Sequence, residues 1–327
     1  MVVMKGKILT MLKKRQGDFV SGQSICDSLG VSRTAVWKHV NQLKEDGYQV
    51  ESVPRKGYRI ISSPDVLTSE EIVPLLDTDF IGRNVINHHE VESTNLTAKA
   101  EGRSGCVDGT VVTTEHQTGG RGRSGRSWSS SPGEAVQMSI VLRPGTPPAT
   151  APPITQIGAA AVAVTLEAMG FAPKVKWPND VLISGKKVCG ILTEMTCELD
   201  RIDFIVMGIG INVNVKAFPK PVDEVATSLL LEGGRSLDRR KIAAEVLNRF
   251  EPLYRGYLKG NGKTYLEICR RLSWLEGKEI SFEKDGITVT ATAGDIDEEG
   301  RLEVHFPGGS SEKLLSGEVH LGSVLKR

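Results

Sequence analysis

Thr110-Val-Val-Thr-Thr114 and Ala135-Val-Gln-Met-Ser-Ile-Val-Leu142 each read as a buried strand, and between them stands Gly120-Arg-Gly-Arg-Ser-Gly-Arg-Ser-Trp128. Apolar, β-branched flanks make this a loop between two strands of a sheet and argue against the solvated Arg/Gly tail that its composition otherwise describes. Three arginines threaded between three glycines suit an anion. Glycine leaves backbone N–H groups open to close approach and permits positive φ, while arginine presents forked donors matched to phosphate or carboxylate oxygens. A loop that contacts RNA loosely is the competing reading.

Four further clusters lie outward from this loop. Val91-Glu-Ser-Thr-Asn95 follows a strand over Val85 to Glu90 and opens a helix towards Ala100, so Ser93, Thr94 and Asn95 serve either as caps or as ligand contacts. Lys176-Trp-Pro-Asn-Asp180 ends a strand in a proline-fixed turn that gathers a lysine, an amide and a carboxylate. Lys186-Lys-Val-Cys-Gly-Ile-Leu-Thr-Glu194 is a lysine pair leading into a strand, with Gly190 permitting close approach to its backbone. Gly208-Ile-Gly-Ile-Asn-Val-Asn214 closes an apolar strand that begins at Ile202. Neither GxGxxG nor GxxxxGK[ST] accompanies it, so neither a Rossmann dinucleotide site nor a P-loop is supported.

The chain has 327 residues and is 39% hydrophobic, enough for a sizeable core, and roughly 100 to 200 residues per domain implies two or three domains. No run reads as long and apolar enough to span a membrane, and the N-terminus lacks the apolar core of a secretion signal, which implies a cytoplasmic protein without a membrane partner. Cys26, Cys106, Cys189, Cys197 and Cys269 are odd in number and lack paired CxxC spacing, as free thiols in a reducing compartment would. No metal-ligand cluster stands out. The net charge of +1 hides an asymmetry: residues 1 to 60 hold eleven Lys/Arg against five Asp/Glu, and the remainder holds thirty against thirty-five. A basic module thus precedes a slightly acidic body.

That module reads helix, helix, turn, helix, hairpin. Ile8, Leu9 and Leu12 recur at helical spacing; Ser21 caps a second helix; Gly30-Val31 forms the turn; and Ser32 caps a third helix with Val36, Val40 and Leu43 inward. Arg33, Thr34, Trp37, Lys38 and Asn41 face out beside Ser32, residue types that reach base edges and phosphates in a major groove. Arg55 and Lys56 tip a following hairpin, as a wing touching the nucleic-acid backbone would. A small helical module that binds protein is the alternative.

Ser93-Thr94-Asn95, Gln117, Gly120 to Trp128, Lys176 to Asp180, Lys187-Val-Cys-Gly-Ile-Leu192 and Gly208 to Asn212, in this order behind a winged helix, make the chain resemble the bifunctional biotin protein ligases that double as biotin operon repressors. The resemblance covers essentially the whole length. It implies that biotin and ATP form biotinyl-5′-AMP, and that biotin then passes to a lysine of biotin carboxyl carrier protein. By resemblance Ser93, Thr94, Asn95, Gln117, Gly120, Arg121, Arg123, Lys187, Gly190 and Gly208 hold biotin. Arg121, Arg123, Arg126, Trp128, Lys176, Asn179, Asp180, Lys187 and Asn212 hold ATP or the adenylate. Lys187, Arg121 and Arg123 stand at the chemistry, where fixed cations keep two anions together. Magnesium would shield the departing pyrophosphate. The adenylate would act as corepressor and favour a homodimer on operator DNA, the DNA contacted through Ser32, Arg33, Thr34, Trp37, Lys38, Asn41, Arg55 and Lys56.

The implied architecture is α+β and multidomain: a winged helix-turn-helix over residues 1–65, a mixed α/β catalytic domain resembling class II aminoacyl-tRNA synthetases over 66–273, and an SH3-like β-barrel over 274–327. Helices over 157–169 and 239–259, the second capped by Asp238, fit it, and the proline-rich 144–153 reads as a surface loop. Two features depart from the family. No tryptophan stands between Asn212 and Leu231 to stack on adenine, and Leu321-Gly322 replaces a C-terminal arginine, leaving Glu318 as the C-terminal candidate. A biotin-sensing repressor without catalysis, a lipoate or octanoyl ligase, and an RNA-binding protein are the other readings of the same sequence.

Overall fold

The computed structural model describes residues 2–15, 17–198, 200–315 and 317–322. The chain divides into two compact units at Val66/Leu67. In the first, α1 (Val2–Lys14), α2 (Gly22–Leu29) and α3 (Arg33–Glu45) precede a hairpin of β1 (Gln49–Val53) and β2 (Gly57–Ser62). Both helix caps form from the serines the sequence offers: Ser21 Oγ accepts the Ser24 N–H at 3.0 Å and Ser32 Oγ accepts that of Ala35 at 3.2 Å. Gly30 ends α2 in the left-handed region, where an L side chain is disfavoured. Ile8, Leu12, Ile25, Val36, Val40 and Leu43 close the core. Val20 and Tyr58 exchange backbone hydrogen bonds of 2.8 and 2.9 Å that tie the hairpin to the segment before α2. Gly57 permits this approach: its φ is +111°, and a Cβ there would lie 2.0 Å from Val20 O.

The second unit opens with α4 (Ser69–Ile72), β3 (Val85–Val91), α5 (Thr94–Arg103), β4 (Val111–Gln117), β5 (Ala135–Leu142) and α6 (Pro152–Ala168). It continues with β6 (Lys174–Lys176), β7 (Asp180–Ile183), β8 (Lys186–Glu198), β9 (Arg201–Asn212), α7 (Leu229–Gly233), α8 (Arg239–Leu258) and α9 (Lys263–Arg271). Five short strands follow: β10 (Glu279–Lys284), β11 (Ile287–Ile296), β12 (Leu302–His305), β13 (Ser311–Leu314) and β14 (Val319–Leu321). Strands β3-β4-β5-β9-β8-β7-β6 make one sheet, parallel only between β3 and β4, and β13-β12-β11-β10-β14 make a second, antiparallel sheet.

Alternation along the central strands buries both faces of the larger sheet. Val112, Val141, Phe204 and Val206 pack with Ala98 of α5. Their neighbours Val111, Leu142, Ile205 and Met207 pack into the main core with α6 and α8. The same core runs on into Ile280, Phe282, Ala291, Val304 and Val319 of the second sheet. Arg239 at the start of α8 is 1% exposed, paired with Glu115 at 2.8 Å and donating to Ala135 O. Asp238 caps α8, as its sequence position implies.

Two expectations change. The proline-rich stretch is not wholly a surface loop: Pro152 and Pro153 begin α6, where a missing N–H costs nothing because the first helical amides have no intrahelical acceptor. Residues Pro148–Ala168 are also apolar and long enough to cross a membrane, with mean hydropathy 1.3, contrary to the sequence expectation. This is the core helix, 72% buried within the fold.

Candidate functional site

Sheet register explains how motifs far apart in sequence converge. Val91 pairs with Gln117, Ala135 with Asn212, Gly190 with Gly210, and Asp180 with Gly190. One end of the large sheet therefore carries the Ser93-Thr94 turn, the Gly/Arg loop, the Lys176–Asp180 turn, the lysines that open β8 and the glycines that close β9. A small cavity opens there. Ser93, Thr94, Asn95, Gln117, Arg121, Arg123, Lys187, Gly190 and Gly208 line it together with Trp128 and Asn179. Ile191, Leu192 and Ile209 give it an apolar wall that reading the motifs alone does not single out.

Ser93 begins α5 without a side-chain capping bond and is 3% exposed, so its presence is not explained by capping. Gln117 Oε1 accepts the Thr94 N–H at 2.8 Å. Trp128 is the partition of the site. A Cβ added to Gly210 would stand 2.6 Å from its Cε2, and one on Gly190 would stand 3.2 Å from its Cζ3, so the indole rests on two bare backbones. Trp128 Nε1 is buried without a hydrogen-bond partner, a donor that a ligand acceptor would satisfy. The indole also lines the neighbouring groove, as the sequence assignment to the adenylate requires.

Two glycines and one asparagine have structural roles as well. Gly120 does not line the cavity; it closes the loop, with Trp128 N–H donating to Gly120 O at 2.9 Å and no room for a Cβ beside Trp128 O. Asn95 gives both amide hydrogens to protein, to Leu192 O and Glu194 Oε2, and its oxygen lies 2.6 Å from Ser139 Oγ. Gly208 accommodates that oxygen, which would sit 2.2 Å from a Cβ.

Cations cluster where the cavity meets a larger groove. Lys187 Nζ lies 2.7 Å from Asp180 Oδ1 and 5.9 Å from the Trp128 ring centroid. Asn179 receives Arg123 Nη1 at 2.9 Å and donates to Asp180 and Ile191 O. Arg123 also donates to Gly317 O, and Arg126 pairs with Glu318 at 2.5 Å, so the loop after β13 holds the Gly/Arg loop. Arg121 is exposed and paired with Glu92 at 2.9 Å. Burial lowers the Lys176 pKa below the usual lysine value, against the opposing pull of Asp180. Asn212 lines the groove but donates to Thr227 O, anchoring the segment that returns to β8. Phe218, Val222, Val225 and Trp274 provide apolar groove wall, found only through the tertiary fold.

The Lys176–Asp180 turn contains a cis Trp177–Pro178 bond. The turn after β11 pins it: Gly300 O accepts Trp177 Nε1 at 3.0 Å and Gln156 Nε2 at 2.6 Å. Asp297 organises that turn by accepting the N–H groups of Glu299 and Arg301 and the Arg301 guanidinium. Burial alone would raise its pKa; these donors and Lys313 outweigh it and hold the carboxyl down to about 2.

In the first unit Ser32, Arg33, Thr34, Trp37 and Lys38 are exposed along the start of α3, Trp37 by 59%, and Asn41 is half-buried. Arg33 Nη2 donates to Gln23 Oε1 at 2.8 Å, and Gln23 donates to Asp27, a support absent from the sequence reading. Arg55 and Lys56 are exposed at the hairpin tip. Phe19 lies beneath it, 5.8 Å from Lys56 Nζ and 4.7 Å from the Arg59 guanidinium. The five cysteines are unpaired.

Comparison with known proteins gives three family matches: an HTH domain over residues 5–59, the Biotin/lipoate A/B protein ligase family over 89–212, and the Biotin protein ligase C terminal domain over 277–322. Bifunctional ligase/repressor BirA of Bacillus subtilis is 40% identical over 96% of this chain and 98% of its own. Its counterpart from Escherichia coli is 29% identical over 98% of each. The biotin protein ligase of Aquifex aeolicus, solved with biotin and ATP, superposes with a TM-score of 0.65 at 27% identity, covering 74% of this chain and all of that one.

Proposed function

Because the chain belongs to the biotin protein ligase family, we propose that the cavity seats biotin and the adjoining groove seats ATP. The chain is a biotin ligase with helix-turn-helix repressor function, and ATP and biotin are its substrates. The observation that carries the site assignment is the junction itself: the cavity and the groove share Arg123, Trp128, Asn179 and Lys187, so ligands in the two would meet beside two cations.

In this reading Ser93, Thr94 and Gln117 hold the ureido head, and the carboxylate end points to Lys187 and Arg123. A biotin carboxylate oxygen attacks the α-phosphorus as the bond to pyrophosphate breaks. Lys187, held by Asp180, and Arg123, held by Asn179 and Gly317 O, are positioned to stabilise the charge that develops, an interaction whose removal costs ~10²-fold or more in rate. Arg126, Arg121 and Lys176 face the phosphates, and Trp128 separates the two substrates while offering Nε1. Phe218 and Trp274 supply apolar surface for adenine. Among the described residues no three His, Cys, Asp or Glu side chains gather into a metal site, and Asp180 and Glu318 are the carboxylates of the groove. That donor set fits magnesium carried mainly by phosphate oxygens and water, where the ion supplies charge neutralisation. The carrier lysine amine then attacks the acyl carbon, releasing AMP.

DNA and a carboxyl carrier protein are the macromolecular partners consistent with this family. Residues 1–65 form the winged helix-turn-helix, with Ser32 to Asn41 in the major groove and Arg55 and Lys56 on the backbone; residues 66–273 form the catalytic domain on a sheet of class II synthetase type; and residues 274–327 form an SH3-like barrel. The adenylate is the corepressor, and it favours a cytoplasmic homodimer on a two-fold operator. Pyrophosphate release with ATP, magnesium and biotin tests the ligase site, comparing wild type with Lys187→Ala and repeating with lipoate. Biotin-dependent release that collapses in the variant supports the assignment; equal release with lipoate overturns the biotin pocket.

A further inference from the structure

Behind Thr94 runs a line of polar side chains. Ser139 on β5 is fully buried, with Oγ 2.6 Å from Asn95 Oδ1 and 2.8 Å from Thr94 Oγ1. Asn95 Nδ2 donates to Leu192 O at 3.2 Å and Glu194 Oε2 at 2.8 Å, and Lys99 Nζ donates to Glu194 Oε1 at 2.5 Å.

Atom types orient these bonds. The Leu192 carbonyl and the Glu194 carboxylate only accept, so the nitrogen of Asn95 faces them and its oxygen faces Ser139. An amide oxygen carries no proton, so the one hydroxyl proton of Ser139 goes to Asn95 and cannot also serve Thr94. Thr94 then spends its own proton inside the wall, on Ser139 Oγ or on Gln117 Oε1 at 3.2 Å. Towards the cavity its oxygen has only lone pairs left. Gln117 is fixed in the same manner: the Thr94 N–H can only donate, so Oε1 turns to it and Nε2 remains a donor beside Gly120.

We propose that Lys99, Glu194, Asn95 and Ser139 are positioning residues that set the substrate specificity of this cavity, by holding Thr94 Oγ1 as an acceptor next to Gln117 Nε2 as a donor. The wall then matches a ring N–H adjacent to a C=O, and an acid whose ring lacks that pair leaves both groups unsatisfied. This rests on the biotin reading and adds to it a layer of residues behind Thr94. Asn95, which lines the cavity, also acts through Ser139 on Thr94.

The test is titration calorimetry of the full-length chain with biotin and with biotin methylated on either ureido nitrogen, together with kcat and KM for biotin-dependent pyrophosphate exchange. In Ser139→Ala a buried acceptor on Asn95 loses its donor and Thr94 loses its constraint. Biotin affinity is expected to fall roughly 5- to 150-fold, the range for an unpaired buried polar group. The KM for biotin should rise in parallel while kcat at saturation stays within about twofold. The preference of wild type for biotin over the more weakly bound methylated isomer should shrink by about the same factor. Glu194→Ala, at the half-exposed outer end, reads the relay if Ser139→Ala does not fold: a smaller loss of the same selectivity is expected, and Glu194→Gln, which keeps an acceptor for Asn95, should restore it. The proposal is overturned if Ser139→Ala binds biotin like wild type, or if biotin and its methylated forms weaken equally. Absence of biotin binding by well-folded wild type would instead refute the underlying ligand reading.

Discussion

Gly210→Ala should displace Trp128 and impair catalysis through a single methyl group. The added Cβ would stand 2.6, 2.8 and 2.9 Å from Cε2, Cζ2 and Nε1 of the indole. Ordinary carbon contacts lie at about 3.5 to 4.0 Å, so the ring must move by roughly 1 Å. Gly210 is flanked in register on both sides, by Gln137 of β5 and Gly190 of β8, so the strand is the fixed partner and the loop side chain moves. A displacement of that size at a positioning wall costs up to ~10²-fold, and kcat/KM for biotin-dependent pyrophosphate exchange should fall about 10- to 100-fold. Overpacking of this kind costs about 1 to 3 kcal/mol, which corresponds to a Tm lower by roughly 2 to 10 °C in a unit of this size. Trp128→Phe removes part of the clashing ring and should recover activity in the Gly210→Ala background while lowering it in wild type. The two substitutions in one cycle should therefore couple by at least about 1 kcal/mol. Additive losses, or a Gly210→Ala enzyme with wild-type kinetics, would show that Trp128 does not divide the site as argued.

Lys187→Met should leave the fold intact, with a Tm within a few degrees of wild type, yet reduce pyrophosphate release by ~10²-fold or more; a loss under threefold would remove Lys187 from the reaction centre. Gly57→Ala combines φ of +111° with a backbone clash at Val20 O, so the hairpin should detach from the helices. Fluorescence anisotropy at low salt should then report at least tenfold weaker DNA binding with ligation unchanged, and unaltered DNA affinity would disprove the wing. The Asp297 carboxyl is held down to about 2 from its ordinary value of 3.8, so its contribution to stability is complete above the unfolded value and is lost as pH falls through the folded one. Thermal melts of wild type and Asp297→Asn should accordingly differ most above about pH 4 and converge towards pH 2; a constant difference would contradict the assignment.

Much of the fold is readable from local rules. The N-terminal caps at Ser21 and Ser32, the cap at Asp238, the Gly30 turn and the apolar strand from Ala135 to Leu142 depend on neighbours within a few residues, and each forms where its sequence places it. β13 and β14 are short and only partly buried, so no periodic signal marks them. Pro152 looks like a loop residue because proline marks turns and helix starts alike, and only the buried length of α6 decides between them. The pairing of Arg126 with Glu318 spans the unit, so neither sequence segment advertises the other.

The site divides along the same line. Several residues that line the cavity sit in the Gly/Arg loop or near strand ends, where glycine, arginine and lysine have no cheaper structural explanation, and their sequence pattern is accordingly informative. Of the residues that orient them, Ser139 and Glu194 sit on strands and Asn95 and Lys99 on α5. Ser139 within Gln137-Met-Ser-Ile140 has the look of a small residue on an alternating strand, and Glu194 that of a solvent-facing carboxylate. Only the register of β5, β9 and β8 brings them to Asn95. Asn95, for which the sequence offers two readings, cap or ligand contact, lines the cavity while its amide hydrogens go to Leu192 O and Glu194 and its oxygen lies against Ser139 Oγ. The motifs that line the cavity are therefore legible in the sequence, while their polarity, which atom donates and which accepts, is fixed by partners one layer behind.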